Sequence, residues 1–376
     1  MTQQYYIGIM SGTSADGADI ALVKFNQSTE PSQACELIAH HFHPYPDNLH
    51  HAVTSLYQPD DNEIDRAWDL NVELAHFYHQ AVQALLNAEN IQPSEVIAIG
   101  NHGQTIRHRP EPFDTIKNSF TLQIGCNQTL ACLSQIRVIG DFRTKDMVLG
   151  GQGAPLVPAF HHFLFEQAQQ DTFIVNLGGI ANVTYLPADK AQPVVGFDTG
   201  PANALLDAWC YMHTGNRYDK DGEWATTGQI IPALLDQMLA DSYFSLPFPK
   251  STGREYFNID WLNQFQVTEY SAHDIQATLV ALTATSVANA VAQLSPKGFV
   301  YLCGGGINNT PCYKLINHNL SNHSVNTIHS LNLNNQAFEA MAFAWLAYAY
   351  DKKIYNHIPE VTGASRKTIL GIEFLP

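Results

Sequence analysis

Asp198 follows an apolar run that includes Val194, Val195 and Phe197, and it precedes Thr199, Gly200 and Pro201. A carboxylate at the end of a buried strand loses part of its hydration and is poised to take a proton as a general base. Asp is also a favoured N-cap for the helix expected over 202–210, so spacing alone leaves both readings open. Gly140-Asp141-Phe142-Arg143-Thr144-Lys145-Asp146 gathers cations and carboxylates in one short stretch. Arg143 and Lys145 are either a surface ion-pair group or a hold for a substrate carboxylate or phosphate. Lys250-Ser251-Thr252-Gly253-Arg254-Glu255 is a further polar loop able to face a cleft. Glu339 interrupts the start of an apolar helical pattern and points either to solvent or into a site.

Three glycine turns carry the second kind of chemistry. The first holds Gly12, Thr13, Ser14, Ala15, Asp16 and Gly17, followed by Ala18 and Asp19. The second holds Gly178, Gly179 and Asn182, and the third holds Gly304, Gly305 and Gly306. Glycine lets backbone N–H groups approach an anion, and neighbouring hydroxyls and amides add donors. Neither Gly-x-Gly-x-x-Gly nor Gly-x-x-x-x-Gly-Lys-Ser/Thr occurs at these turns, which argues against a dinucleotide fold and a P-loop. The 376-residue chain has 19 Lys+Arg against 35 Asp+Glu, a formal charge of −16. Such a surface repels nucleic acid and anionic membrane. A bound phosphate must then rest on backbone amides rather than on a wealth of cations.

The elements that position these residues alternate between strand and helix. Tyr5-Tyr6-Ile7-Gly8-Ile9 and Ile20-Ala21-Leu22-Val23 read as a hairpin around the first glycine turn. Residues 172–175 and 183–186 read as a second hairpin around Gly178 and Gly179. Residues 65–88 carry helical periodicity, with Trp68, Val72, Ala75, Val82 and Leu85 near one face. Val96-Ile97-Ala98-Ile99 reads as a buried strand delivering Asn101, His102, Gln104 and Thr105 to its C-terminal end, where open α/β sheets bind ligands. Helices are expected over 202–210, 273–294 and 336–350, with strands at 137–139, 194–197 and 298–303. The length suits about two domains, and the spacing of the first two turns suggests similar halves. No run of eighteen apolar residues and no signal-peptide pattern occur, which suggests a cytoplasmic protein. Its six dispersed cysteines are expected to stay reduced. His40, His41, His43, His50 and His51 cluster, but no Cys or carboxylate completes a metal pattern, so solvated loop histidines are expected.

Taken together, the motifs resemble those of anhydro-N-acetylmuramic acid kinases. The resemblance rests on Met10-Ser11-Gly12-Thr13-Ser14-x-Asp16-Gly17-x-Asp19, Gly103-Gln104-Thr105, Asp141-Phe142-Arg143 and Gly150-Gly151-Gln152-Gly153-Ala154-Pro155-Leu156-Val157-Pro158. Asn176-Leu177-Gly178-Gly179, Phe197-Asp198-Thr199-Gly200-Pro201, the Lys250–Glu255 stretch, the Gly304 turn and Glu360-Val361-Thr362-Gly363-Ala364 extend it along the chain. It implies an α/β fold of the actin/hexokinase (ribonuclease H-like) ATPase type, with two lobes around a central cleft. The lobes would be 1–136 plus about 341–376, and about 137–340, with the last helix crossing back to the first. It implies ATP and Mg2+, with the first two glycine turns on the phosphates and the third near the nucleotide. Asp198 would be the general base and Glu339 a second catalytic carboxylate. Arg143 would meet the lactyl carboxylate, with His102, Gln104 and Thr105 lining the sugar pocket. It further implies a homodimer. Met10 stands where the wider superfamily has a magnesium-holding Asp, which leaves the metal ligands unassigned. Ala15 stands where the family usually has a larger Leu, a matter of packing. Two alternatives remain open: an ordinary sugar kinase of the same fold, and a nucleotide-gated binding ATPase.

Overall fold

Apolar strands with glycine-rich tips start each of two sheets. In the computed structural model, which describes residues 4–112, 114 and 116–376, the chain divides into two compact units. One comprises residues up to 166 together with 336–376, and the other comprises 167–335. The passage between them lies further along the chain than the 136/137 position expected from sequence.

In the first unit, Tyr5–Ser11 (β1) turns back onto Gly17–Phe25 (β2), with Ile7 opposite Leu22 and Ile9 opposite Ile20. Cys35–Pro44 (β3) lies antiparallel on β2, and Val96–Arg109 (β4) runs parallel to β1. Phe120–Ile124 (β5) pairs antiparallel with the far half of β4. Val138–Gly140 (β6) runs parallel to β4, and the terminal strand Ile372–Phe374 closes the edge. Asn101, His102, Gln104 and Thr105 therefore lie inside a long strand rather than in a loop beyond it. His40, His41 and His43 lie on β3, and His50 and His51 lie in the helix Asp47–Ser55, not in loops. Among the described residues, no group of three candidate ligands could hold a metal ion.

Alternation along β1 sends successive side chains to opposite faces. Ile7 and Ile9 join the core under the helix Glu63–Glu89, whose Leu74, Tyr78, Ala81 and Leu85 are buried. Trp68 and Val72, expected on that buried face, are 59% and 42% exposed. The other face carries the helix Phe338–Lys352, on which Phe338, Met341, Ala342, Trp345 and Ala349 are all buried. That helix lies directly on the strands. A Cβ at Gly8 would fall 1.8 Å from the Ala340 carbonyl oxygen, and one at Gly100 2.0 Å from that of Phe343. Gly8 and Gly100 are register partners on β1 and β4, so together they form a bare track for the helix.

In the second unit, Thr172–Leu177 (β7) and Ile180–Leu186 (β8) form the hairpin, and Val195–Pro201 (β9) pairs antiparallel with β8. Gly298–Cys303 (β10) runs parallel to β7, and His323–Thr327 (β11) parallel to β10. The core helix is Ala272–Leu294, with Leu279, Leu282, Val287 and Val291 buried. Among the described residues it is the one helix long and apolar enough to cross a membrane, and 83% of its most apolar window is buried inside the protein.

Both sheets follow the same path. A hairpin and a third antiparallel strand lie on one side of the first strand, and two parallel strands on the other, in the orders β6-β4-β1-β2-β3 and β11-β10-β7-β8-β9. The chain contains one ribonuclease H-like wiring twice, a duplication that the sequence suggests only through its glycine turns.

Candidate active site

In the second unit, the register across three strands lines up Asn176 on β7, Asn182 on β8 and Asp198 on β9. Direct cross-strand neighbours share a face, so a polar row forms at one end of an otherwise apolar sheet. Asp198 is not a helix cap. It sits within β9, and the following helix begins at Asn203. The 250–255 loop holds it from two sides. Its backbone N–H donates to the Lys250 carbonyl at 3.1 Å, and the Thr252 N–H donates to its Oδ2 at 3.0 Å. The Tyr243 hydroxyl fixes its carbonyl at 2.6 Å. Burial pushes the Asp198 carboxyl up to about 6, and nearby Glu255 adds to the rise against the Thr252 hydrogen bond. This is the range of a base that works near neutral pH.

The tip at Gly178 and Gly179 is docked on the start of the helix Asn203–Thr214. The Gly178 carbonyl accepts from Asn203 N–H at 3.0 Å, and the Gly179 carbonyl from Ala202 and Ala204 N–H at 3.2 and 3.1 Å. The first amides of that helix are thereby occupied, leaving the hairpin rather than the helix end as the backbone surface for an anion. Gly304 has φ of 84°, and a Cβ there would fall 2.2 Å from Asn176 Oδ1. Asn335 grips both its N–H (2.7 Å) and its carbonyl (3.1 Å). Gly305 is exposed and Gly306 buried, so this turn backs onto the Asn176 end of the polar row.

In the first unit, Thr13, Ser14 and Asp16 are exposed at the hairpin tip, while Ala15 is fully buried at φ of 52°. Ser14 donates to Asp16 at 2.7 Å. Beneath the tip lies a buried network that sequence reasoning missed. Ser11 Oγ lies 2.6 Å from Gln104 Oε1 and 2.7 Å from the Tyr45 hydroxyl. Gln104 Nε2 donates to the Gly12 carbonyl at 3.0 Å and to the Tyr57 hydroxyl at 3.2 Å. With both ends engaged, Gln104 shapes the glycine turn rather than offering its amide to a ligand. Thr105 accepts from Gln123 at 3.1 Å.

His102 and Arg143 form a fixed pair. Arg143 donates to His102 Nε2 at 2.9 and 3.2 Å and to the Gly153 carbonyl at 2.7 Å. Arginine has no acceptor, so His102 Nε2 must be the lone-pair nitrogen and Nδ1 carries the proton toward the Ser11 carbonyl at 3.2 Å. Burial, with the Arg143 charge, lowers His102 to about 3, keeping the ring neutral. Burial also lowers Arg143 to about 10, against the opposing pull of Glu339 and Asp146.

Glu339 sits in the first turn of its helix, half-buried, and burial with the charge of Asp19 raises its carboxyl while Arg143 lowers it. Asp19 is thus in the body of β2 near Glu339, paired with His40 at 2.7 Å, rather than at the glycine tip. The 150–153 loop that holds Arg143 is itself pinned by buried Asp146. That carboxylate accepts from Gly153 N–H (2.6 Å), Thr362 Oγ1 (2.6 Å) and His357 Nε2 (2.5 Å). These bonds outweigh burial and hold Asp146 below the usual carboxylate range.

Two sheets of ribonuclease H-like wiring, each with a glycine hairpin, give the chain an actin/hexokinase-like fold. The sequence model of anhydro-N-acetylmuramic acid kinase matches residues 4–376. An anhydro-N-acetylmuramic acid kinase of Colwellia psychrerythraea is 52% identical, over 99% of this chain and 98% of its own. One of Coxiella burnetii is 43% identical, over 99% of this chain and 97% of its own. A solved component A of (R)-2-hydroxyglutaryl-CoA dehydratase from Acidaminococcus fermentans aligns with a TM-score of 0.47 at 11% identity, covering 93% of this chain and 99% of that one. The chain belongs to the anhydro-N-acetylmuramic acid kinase family, and it is an ATP-using kinase.

Proposed function

We propose that this kinase opens the bridge of 1,6-anhydro-N-acetylmuramic acid with water and phosphorylates the released O6, as in recycling of cell-wall amino sugar. The observation that carries the mechanism is Asp198, a carboxylate raised to about 6 and clamped by the 250–255 loop. Asp198 takes a proton from water, and the water oxygen attacks C1. The C1–O6 bond breaks with its electrons on O6, and O6 attacks the γ-phosphorus of ATP. The bond from phosphorus to the bridging oxygen of ADP then breaks. The products are N-acetylmuramic acid 6-phosphate and ADP.

The other roles follow from chemistry and placement. Gly12, Thr13, Ser14, Asp16, Gly17 and Ala18 on the first tip, and Gly178, Gly179 and Asn182 on the second, hold phosphate oxygens through amides and short polar side chains. The turn at Gly304, Gly305 and Gly306 receives the rest of the nucleotide. Arg143, neutral His102 and Thr105 face the acidic sugar, and Glu339 orients sugar or water. No protein-only magnesium cage exists among the described residues. Asp16, exposed on the first tip, would be the carboxylate offered to Mg2+. When bound, Mg2+ neutralises charge on the phosphates. The reading also includes a cytoplasmic homodimer.

An assay in ¹⁸O-water with ATP and the anhydro sugar tests the reaction. Ring opening places one solvent oxygen at C1 of the phosphorylated product, measured by mass spectrometry. A kinase acting on a free hydroxyl incorporates none. ATP hydrolysis unchanged by omitting the sugar would overturn both in favour of a nucleotide-gated binding protein.

A further inference from the structure

The reaction builds negative charge on a phosphoryl group between two oxygens, and the site described so far assigns no side-chain cation to it. Phosphoryl transfer is catalysed largely by positioning and by charge placed against the equatorial oxygens. The chain has only 19 Lys+Arg, and several of them are already occupied. Arg143 is bound to His102 and Gly153. Arg107 pairs with Glu63, and Arg137 with Asp351 and Glu373. Lys250 donates to the Tyr243 and Phe244 carbonyls at 2.9 and 3.2 Å.

Arg254 differs. Among the described residues it forms no hydrogen bond and no ion-pair contact. Its guanidinium nevertheless lies over the tip of the β7–β8 hairpin. A Cβ at Gly179 would meet Arg254 Nη2 at 3.3 Å and Nε at 3.5 Å. It belongs to the loop that clamps Asp198 through Lys250 and Thr252. That loop is anchored beyond Arg254, where Tyr256 and Phe257 N–H donate to the Gly253 carbonyl at 3.2 and 3.1 Å and Phe257 is buried. One short segment therefore carries both the grip on the base and a free cation at the glycine tip.

The helix docked on this tip carries a carboxylate that this cation influences without direct contact. Asp207, on the helix docked to the hairpin, feels the Arg254 charge, with Asp219 as the other charged group acting on it. Asp219 is committed elsewhere, accepting from Trp224 and Ala225 N–H at 2.8 and 2.9 Å. Burial raises Asp207 to about 6, so it is ionised at neutral pH and available to Arg254.

We propose that Arg254 is the cation that meets the γ-phosphoryl group in flight, and that Asp207 is a positioning residue that keeps it over Gly179. The inference rests on the reading that this hairpin faces the nucleotide phosphates. In the step, the O6 electron pair forms the new P–O6 bond while the electrons of the old P–O bond leave with ADP. Arg254 remains protonated throughout and exchanges no atom.

Full-length Arg254→Gln, Arg254→Lys, Asp207→Asn and the Arg254→Gln/Asp207→Asn double variant are compared in steady-state kinetics and in calorimetric binding of ADP. Arg254→Gln is expected to lower kcat by about 100- to 1,000-fold, with ADP affinity changed by less than about 3-fold. Arg254→Lys should recover part of the loss, because it restores charge but not the planar fork. Asp207→Asn should cost about 10-fold in kcat, and nothing further in the double variant, since a positioning group acts only through its partner. A kcat within about 3-fold of the parent for Arg254→Gln overturns the proposal, as does a loss of ADP affinity equal to the loss of kcat. The underlying reading fails separately, if the parent enzyme binds ADP no more tightly than adenosine.

Discussion

In the proposed reaction, Asp198 must be a strong enough base to deprotonate water and yet be ionised at neutral pH, and these demands meet in a partly desolvated carboxylate. The same desolvation costs stability. Burial raises its folded value from 3.8 to about 6, above that of the unfolded chain. Its contribution to stability is therefore fully present below about pH 4 and lost as pH rises through about 6. At roughly 1.4 kcal/mol per unit, the loss at pH 8 is about 3 kcal/mol. Asp198→Asn should thus be more stable than the parent by about 2–3 kcal/mol at pH 8, and by about half of that at pH 5, in urea unfolding. It should lose ring opening and phosphorylation together, by roughly 1,000-fold. The parent kcat/KM should rise with pH through about 6 and then level. Survival of either half-reaction, or a stability gain independent of pH, would remove Asp198 as the base. Its candidacy was legible because a carboxylate ending an apolar run is conspicuous. The partnership of Asp207 with Arg254 was not, because it joins a helix to a distant loop, and neither local pattern marks it.

Among the elements, the helix Phe338–Lys352 couples packing to the proposed chemistry most directly. It carries Glu339 in its first turn, and its height above the sheet is set by Gly8 and Gly100. At these two positions no side chain fits between strand and helix backbone. Gly100→Ala should cost about 2–3 kcal/mol in urea unfolding, because its Cβ would overlap the Phe343 carbonyl and nothing flexible can yield. The helix can relieve the overlap only by lifting, which moves Glu339 and should lower kcat with it. A variant within 0.5 kcal/mol of the parent, with unchanged kcat, would show that the helix is not seated by these glycines. The helix itself was legible from its apolar spacing, and so were both hairpins and β10. The far half of β4 was not. Asn101, His102 and Gln104 are buried polar residues in mid-strand, tolerated because their partners come from elsewhere in the chain. Asn101 donates to the Gly125 carbonyl and to Asn127, and Gln104 is satisfied around Ser11 and Gly12. Hydropathy cannot reveal hydrogen bonds that only tertiary structure supplies. β3 escaped notice for the same reason, since its histidines pair with one another and with Asp19.

Across the whole molecule, the two copies of one sheet wiring differ in how the chain completes them. The second unit is continuous, 167–335, with its own long core helix and the cluster of Phe173, Val183, Trp209 and Leu282 around it. The first is discontinuous and needs 336–376 to close. That last segment supplies the helix on the glycine track and the edge strand Ile372–Phe374. It also supplies His357 and Thr362, which satisfy buried Asp146. Without it, the face of β1 and β4 bearing Tyr6, Gly8, Ala98 and Gly100 loses its apolar cover, and a buried carboxylate loses two of its donors. Each loss alone is of the order of several kcal/mol, comparable with the whole stability of a domain. Alternating strands and helices carry no mark of such a discontinuity, so the sequence offered only an approximate passage between lobes. A fragment of residues 167–335 should therefore fold alone, with a cooperative urea transition and dispersed amide resonances. A fragment of 1–166 should not, until 336–376 is added in trans or fused to it. Cooperative unfolding of 1–166 by itself would mean that β1–β6 hold together without the helix, and that the glycine track is an accommodation rather than a requirement.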